Sequence, residues 1–181
     1  MKKYHIQARQ HWEEFHYDNG IYSLKHLSAH EVIYKGNKNS YKFVVTYGLH
    51  CFAKDGQEHS IDLAYSDGFE TRSINLERYE ASKQLRYCIE NLDKQKLIYE
   101  TTQEKYFTFD SITSVQGYPE NYKVCLCIFK ENRLLRIHVT SAFFDRENKP
   151  IMNRQYSIFK LAMDVQKANN NKTIPKQASR K

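Results

Sequence analysis

The chain has 181 residues, 40% hydrophobic and 14% aromatic, enough for one buried core and too short for two ordinary domains. Its net charge of +7 is unevenly spread: residues 121–181 hold thirteen Lys or Arg against four acids, residues 1–120 fifteen against seventeen. No run approaches the roughly 20 apolar residues of a spanning helix, and the start Met1-Lys2-Lys3-Tyr4-His5 has no apolar stretch behind it.

These limits predict a soluble, cytoplasmic single domain over residues 1–168 with reduced cysteines, no membrane partner, and a basic, disordered tail at 169–181. Residues 1–39 keep neither period for long and read as an irregular N-terminal segment, closed by a turn at Gly36-Asn37-Lys38-Asn39-Ser40. Strict alternation over residues 41–54 predicts a strand, with Tyr41, Phe43, Val45, Tyr47, Leu49 and Cys51 on one face. Residues 55–73 are polar and acidic, a loop with a short extended piece around Ile61–Tyr65.

Asn75 is placed to cap a helix running to about Leu92, with Leu85, Cys88, Ile89 and Leu92 as its apolar stripe. Residues 97–101 and 105–110 read as strands, and 122–130 with 134–144 as a hairpin across Glu131-Asn132-Arg133. Asn153 is placed to cap a last helix to about Ala168. The expected architecture is α+β: a mainly antiparallel sheet with two packed helices.

Chemistry concentrates on residues 134–144. Alternation puts Leu135, Ile137, Val139, Ser141 and Phe143 toward a core, and Arg136, His138, Thr140 and Ala142 on the other face. A fixed cation, a group titrating near neutrality and a hydroxyl in line are what metal-independent RNA cleavage needs. His138 would act as base or acid, Arg136 would clamp the phosphate and Thr140 would position it. His50, beside Gly48 on the other clear strand, is a fourth catalytic candidate. Arg78, Tyr79, Lys123 and Arg133 are candidate substrate contacts. The competing reading is that half-buried sheets carry polar residues on alternate positions anyway.

Other signals are slighter. Cys125-Leu126-Cys127 puts two thiols on one strand face, short of a zinc motif. His5, His11 and His16 match no metalloprotease spacing, and Asp62, Asp67 and Glu70 form an isolated acidic group. No metal or cofactor is expected.

Four stretches resemble a family of small bacterial mobile-element proteins: Thr46-Tyr47-Gly48-Leu49-His50-Cys51-Phe52, Glu77-Arg78-Tyr79-Glu80-Ala81-Ser82-Lys83-Gln84-Leu85, Tyr106-Phe107-Thr108-Phe109 and Val139-Thr140-Ser141-Ala142-Phe143. The last also resembles the closing strand of barnase–RelE-like RNases. That resemblance implies helices on an antiparallel sheet, metal-free cleavage, toxin activity and an antitoxin or host-protein partner. Two functions follow as expectations: an RNA-targeting endoribonuclease of toxin type, or a non-enzymatic module. The module would bind nucleic acid, RNA before DNA, through cations interleaved with aromatics, or would inhibit an acidic protein.

Overall fold

The computed structural model describes residues 11–54, 63–94, 97–101, 106–131, 133–147 and 153–167. The expected tail lies outside them, as do His5 and Asp62. Twelve strands are described: β1 (Phe15–Tyr17), β2 (Gly20–Tyr22), β3 (His30–Lys35), β4 (Ser40–His50), β5 (Ala53–Lys54), β6 (Ala64–Ser66), β7 (Thr71–Ile74), β8 (Ile98–Glu100), β9 (Tyr106–Thr113), β10 (Pro119–Glu131), β11 (Leu134–Phe144) and β12 (Gln155–Tyr156). The helices are α1 (Leu76–Ser82), α2 (Leu85–Glu90) and α3 (Ile158–Lys167). The fold class is α+β, as expected.

Seven strands form the main sheet, in the order β12-β8-β9-β10-β11-β4-β3. Every neighbouring pair is antiparallel except β11 and β4, which run parallel. A parallel pair needs a long crossover, and here the chain between β4 and β11 contains the small β5-β7-β6 sheet, α1, α2 and three strands.

The helices cover one face of the main sheet. Leu85, Cys88 and Ile89 of α2 and Ile158, Leu161 and Ala162 of α3 share a core with Tyr47, Leu49, Val124, Leu126, Ile137 and Val139. Burying each large aliphatic side chain is worth about 1.5–3 kcal/mol, so this layer sets the position of everything else. Tyr34 Oη seals it by donating to the carbonyl of Ile89.

Several local expectations need correction. The stretch 75–92 is two helices rather than one. Asn75 does cap the first, accepting from Arg78 N at 2.8 Å. That helix stops where Ser82 Oγ turns back to donate to the Tyr79 carbonyl at 2.6 Å, a local bond that competes with helix continuation. The last helix is capped by Ser157, whose Oγ accepts from Lys160 N at 3.2 Å, and not by Asn153. The strand at 41–54 breaks after His50 in a turn, with Cys51 N and Phe52 N bonded to the carbonyls of Gly48 and Leu49. Within 55–73, residues 55–62 are not described; β6 overlaps the end of the expected extended piece, while the start of β7 is strand rather than loop. The N-terminal segment holds a tight hairpin in which Asp18 and Asn19 both take positive φ (47° and 59°), the conformation a two-residue turn requires.

The correction that matters most lies in β11. Cys125 pairs with Ser141 but Leu126 pairs with Val139, so Thr140 is an extra residue, a β-bulge. Period-two alternation cannot pass through it. Beyond the bulge, Ala142 joins the helix-covered core, while Ser141 and Phe143 share a face with His138 and Arg136.

Candidate functional site

The bulge divides the far face of the sheet into a sealed half and a half-buried part. In the sealed half Arg136 is 0% and His138 4% exposed, so neither lies on the solvent-facing surface that alternation implied. Arg136 Nη1 donates to Glu131 Oε2 at 3.1 Å, with both side chains buried. His138 Nδ1 lies 2.9 Å from Thr46 Oγ1 on the parallel neighbour β4. Gly48 explains how closely the strands meet here. A Cβ on it would lie 3.1 Å from the Thr140 carbonyl, 3.3 Å from that of Val139 and 3.4 Å from His138 Nε2. Thr140 spends its hydroxyl on the Cys125 carbonyl at 3.2 Å. His138, Arg136 and Thr140 are thus engaged by neighbours within the sheet.

The half-buried part lies at the other end of β11, around Phe143; there Phe109, Lys123 and Phe143 are partly exposed, while Phe107 is only 5% exposed. Lys123 sits opposite Phe143 in register and places its ammonium 5.9 Å from the Phe143 ring, 4.5 Å from Phe107 and 5.8 Å from Phe109. Tyr99 stacks on Phe107 with ring centroids 5.3 Å apart, extending the row to β8. Arg78 lies over Phe143 at 5.4 Å, and its Nη1 donates to the carbonyls of His50 and Ala53, each at 3.1 Å. Burial pulls the Arg78 guanidinium below its ordinary pKa. Beside it, His50 Nε2 is 3.6 Å from Glu70 Oε1, and Arg72 grips the other oxygen of Glu70 through Nε and Nη2 at 3.0 and 2.8 Å. Asp145 Oδ2 stands 3.7 Å from Lys123.

Of the eight candidates read from the sequence, Arg78 and Lys123 therefore meet at the Phe143 ring, and His50 joins them through its backbone carbonyl, its imidazole facing Glu70. Tyr79 does not join them. Next to Arg78 on a helix, it points away into a cluster with Phe15, Tyr22 and His26, where burial raises its phenol pKa. Arg133 occupies the β10–β11 turn with φ of 68°, at the opposite end of the hairpin. Asp67 of the acidic group is a turn residue, its Oδ1 accepting from Phe69 N and Glu70 N. Among the described residues no three His, Cys, Asp or Glu side chains gather as metal ligands. Burial pushes the Cys51 thiol up to about 12. Among the described residues no helix is long and apolar enough to cross a membrane.

Phe107, Phe109 and Phe143 are not among the site residues read from the sequence, and Glu70 appears there only in the acidic group with Asp62 and Asp67. The first two alternate on a strand that was recognised, and their spacing offered a usable signal. Phe143 was assigned to the core because the bulge was not.

The comparisons with known proteins agree with one another. The model of the YjaZ family matches residues 14–167. The chain is also 30% identical over 148 residues to Protein YjaZ of Escherichia coli (strain K12), covering 76% of this chain and 82% of that one. No solved structure matches. Neither match speaks of mobile elements or of ribonucleases. A family match from β1 through α3, together with a relative aligned over most of both chains, shows that this protein belongs to the YjaZ family.

Proposed function

We propose that this protein is a non-enzymatic binder of single-stranded RNA in the cytoplasm, and that the row from Tyr99 to Arg78 is its binding surface. One observation carries the reading: Lys123 lies among Phe107, Phe109 and Phe143, and Arg78 takes a further place over Phe143. Bases stack on rings regardless of identity, and cations follow the backbone, which suits a single strand whose bases are exposed. Neighbouring strands lie roughly 4.8 Å apart, so a row over β8, β9, β10 and β11 spans about three such steps, enough for a short run of nucleotides. The excess of cations in residues 121–181 adds attraction at longer range. Binding is favoured over cleavage because Arg136 and His138, the groups that would act on a phosphate, are buried and engaged.

The test is fluorescence anisotropy of a labelled RNA 12-mer at low and at physiological salt, with the matching DNA as competitor and EDTA present. Saturable binding that weakens steeply with salt is expected. Phe109→Ala should cost about 1–3 kcal/mol, the value of one stacked base. No binding at low salt would reject the proposal, and shortening of the RNA by the wild-type protein would return the endoribonuclease reading in its place.

A further inference from the structure

We infer that Arg78 anchors a subsite for a phosphate group at the end of this row. The inference extends the RNA reading, because the phosphate would be that of a strand passing over Phe143, but the subsite is argued from Arg78 itself. Three other cations surround it and each has a carboxylate. Arg72 holds Glu70, Lys123 faces Asp145, and Arg146 takes both Glu77 and Glu120. Glu77, next to Arg78 in sequence, is thereby turned toward Arg146.

Arg78 has no carboxylate among the described residues. Its Nη1 is spent on the carbonyls of His50 and Ala53, and Phe143 lies under the guanidinium plane. Those contacts fix the fork in place while its Nε and Nη2 donate to none of the described residues. A half-buried cation held by carbonyls, with one edge of its fork unspent, is the arrangement that takes an oxyanion through two parallel N–H donors. Burying a cation without an ion pair is costly; Glu77 acts on Arg78 only as a minor, longer-range charge, and desolvation outweighs it in lowering the Arg78 pKa. A bound anion would remove that cost. Lys123 reaches the same ring from β10 but is matched by Asp145 at 3.7 Å, so the selectivity rests on Arg78: phosphate near neutral pH carries more negative charge than a monovalent carboxylate and is favoured at a cation with no ion pair.

Two sources share this chemistry: an internal phosphodiester and a terminal 5′-phosphate. The first measurement uses the wild-type chain alone. Inorganic phosphate is titrated while the Arg78 Nε–H resonance is followed by nitrogen-15 NMR, with acetate and chloride at matched ionic strength as controls. A saturable shift with phosphate, in the millimolar range or tighter, is expected; no saturable shift, or an equal one with acetate or chloride, overturns the subsite. The second measurement compares RNA carrying a 5′-phosphate with the same RNA carrying a 5′-hydroxyl, against wild type and Arg78→Lys. Arg78→Lys keeps the charge and loses the fork, and an RNA affinity about tenfold weaker is expected, or 1.4 kcal/mol. A preference for the 5′-phosphate supports a terminal site and equal affinity supports a backbone site. If wild type and Arg78→Lys bind RNA alike, the subsite fails and the RNA reading stands. If phosphate shifts Arg78 while no RNA binds, the subsite stands and the RNA reading fails.

Discussion

The Arg136–Glu131 pair offers the sharpest test of the division of β11 into two halves. Both side chains are buried and their charged atoms lie 3.1 Å apart. At an effective dielectric near 20 their attraction is about 5 kcal/mol, and desolvating each ion costs several kcal/mol. The two nearly cancel. Removing one partner does not cancel, because the remaining buried charge loses the ion pair at 3.1 Å, so Glu131→Leu and Arg136→Met should each cost about 3–5 kcal/mol. The double variant Glu131→Leu/Arg136→Met replaces the pair with apolar groups of similar length and should fall within about 2 kcal/mol of wild type. Urea unfolding is followed through the single tryptophan, Trp12, which is buried with its ring 5.1 Å from that of Phe52.

The outcome that refutes this reasoning is additivity. Two independent losses would sum to about 6–10 kcal/mol, comparable with the whole stability of a domain this size. A double variant that cannot fold would therefore show that Arg136 and Glu131 are not coupled to each other. Conversely, a folded double variant that binds RNA like wild type would place Arg136 in the framework. Loss of binding in a stably folded double variant would return Arg136 to the functional surface.

Two further predictions concern the framework. Gly48→Ala should destabilise by about 1–3 kcal/mol, since its methyl group would press on the backbone carbonyls of Thr140 and Val139 rather than on a side chain that can move; an unchanged urea midpoint would show that β4 and β11 can separate freely. Burial lowers the His26 pKa from 6.5 to about 4, so between those values the unfolded ring takes a proton that the folded one refuses. The contribution of neutral His26 is therefore full above pH 6.5 and lost as pH falls toward 4. A denaturation midpoint that drops across this window in wild type and less so in His26→Gln is expected; parallel curves would assign the pH dependence elsewhere.

Much of the fold was legible because hydrophobic period carries most of the information. The apolar faces of β4 and of α2 and the β10–β11 hairpin follow from it, while the Asn75 cap follows from its side-chain acceptor. Three things were not legible from period alone. The break between α1 and α2 depends on a serine hydroxyl bonding backward, an event that leaves untouched the apolar stripe of Leu85, Cys88, Ile89 and Leu92, which lies wholly beyond it. The parallel pairing of β11 with β4 is a tertiary outcome between segments 92 residues apart at the His138–Thr46 contact. The bulge at Thr140 inserts one residue without any glycine or proline to mark it. The Asp18-Asn19-Gly20 turn was different. Its residue types do signal positive φ, and it stayed hidden because the flanking strands have only three residues each.

The bulge also accounts for why the site looked centred on His138 and lies instead around Phe143. Read without it, Arg136, His138 and Thr140 form one continuous polar line, and Phe143 belongs with Leu135 in the core. With Thr140 taken out of step, the same strand presents a sealed, charged half at Arg136 and an aromatic half at Phe143. Each half has its own partners: Glu131 and Thr46 in the first, Lys123 and Arg78 in the second. In the first half Arg136 bonds Glu131 of β10 and His138 meets Thr46 of β4, which ties the register of β11 to both neighbours. The second half then offers rings and cations whose positions are held from below by that register. The extra residue costs one place in the ladder and turns Phe143 from a core side chain into part of a surface. The placement of Phe143 on the far face therefore depends on Thr140 through geometry, although its hydroxyl is spent on the Cys125 carbonyl.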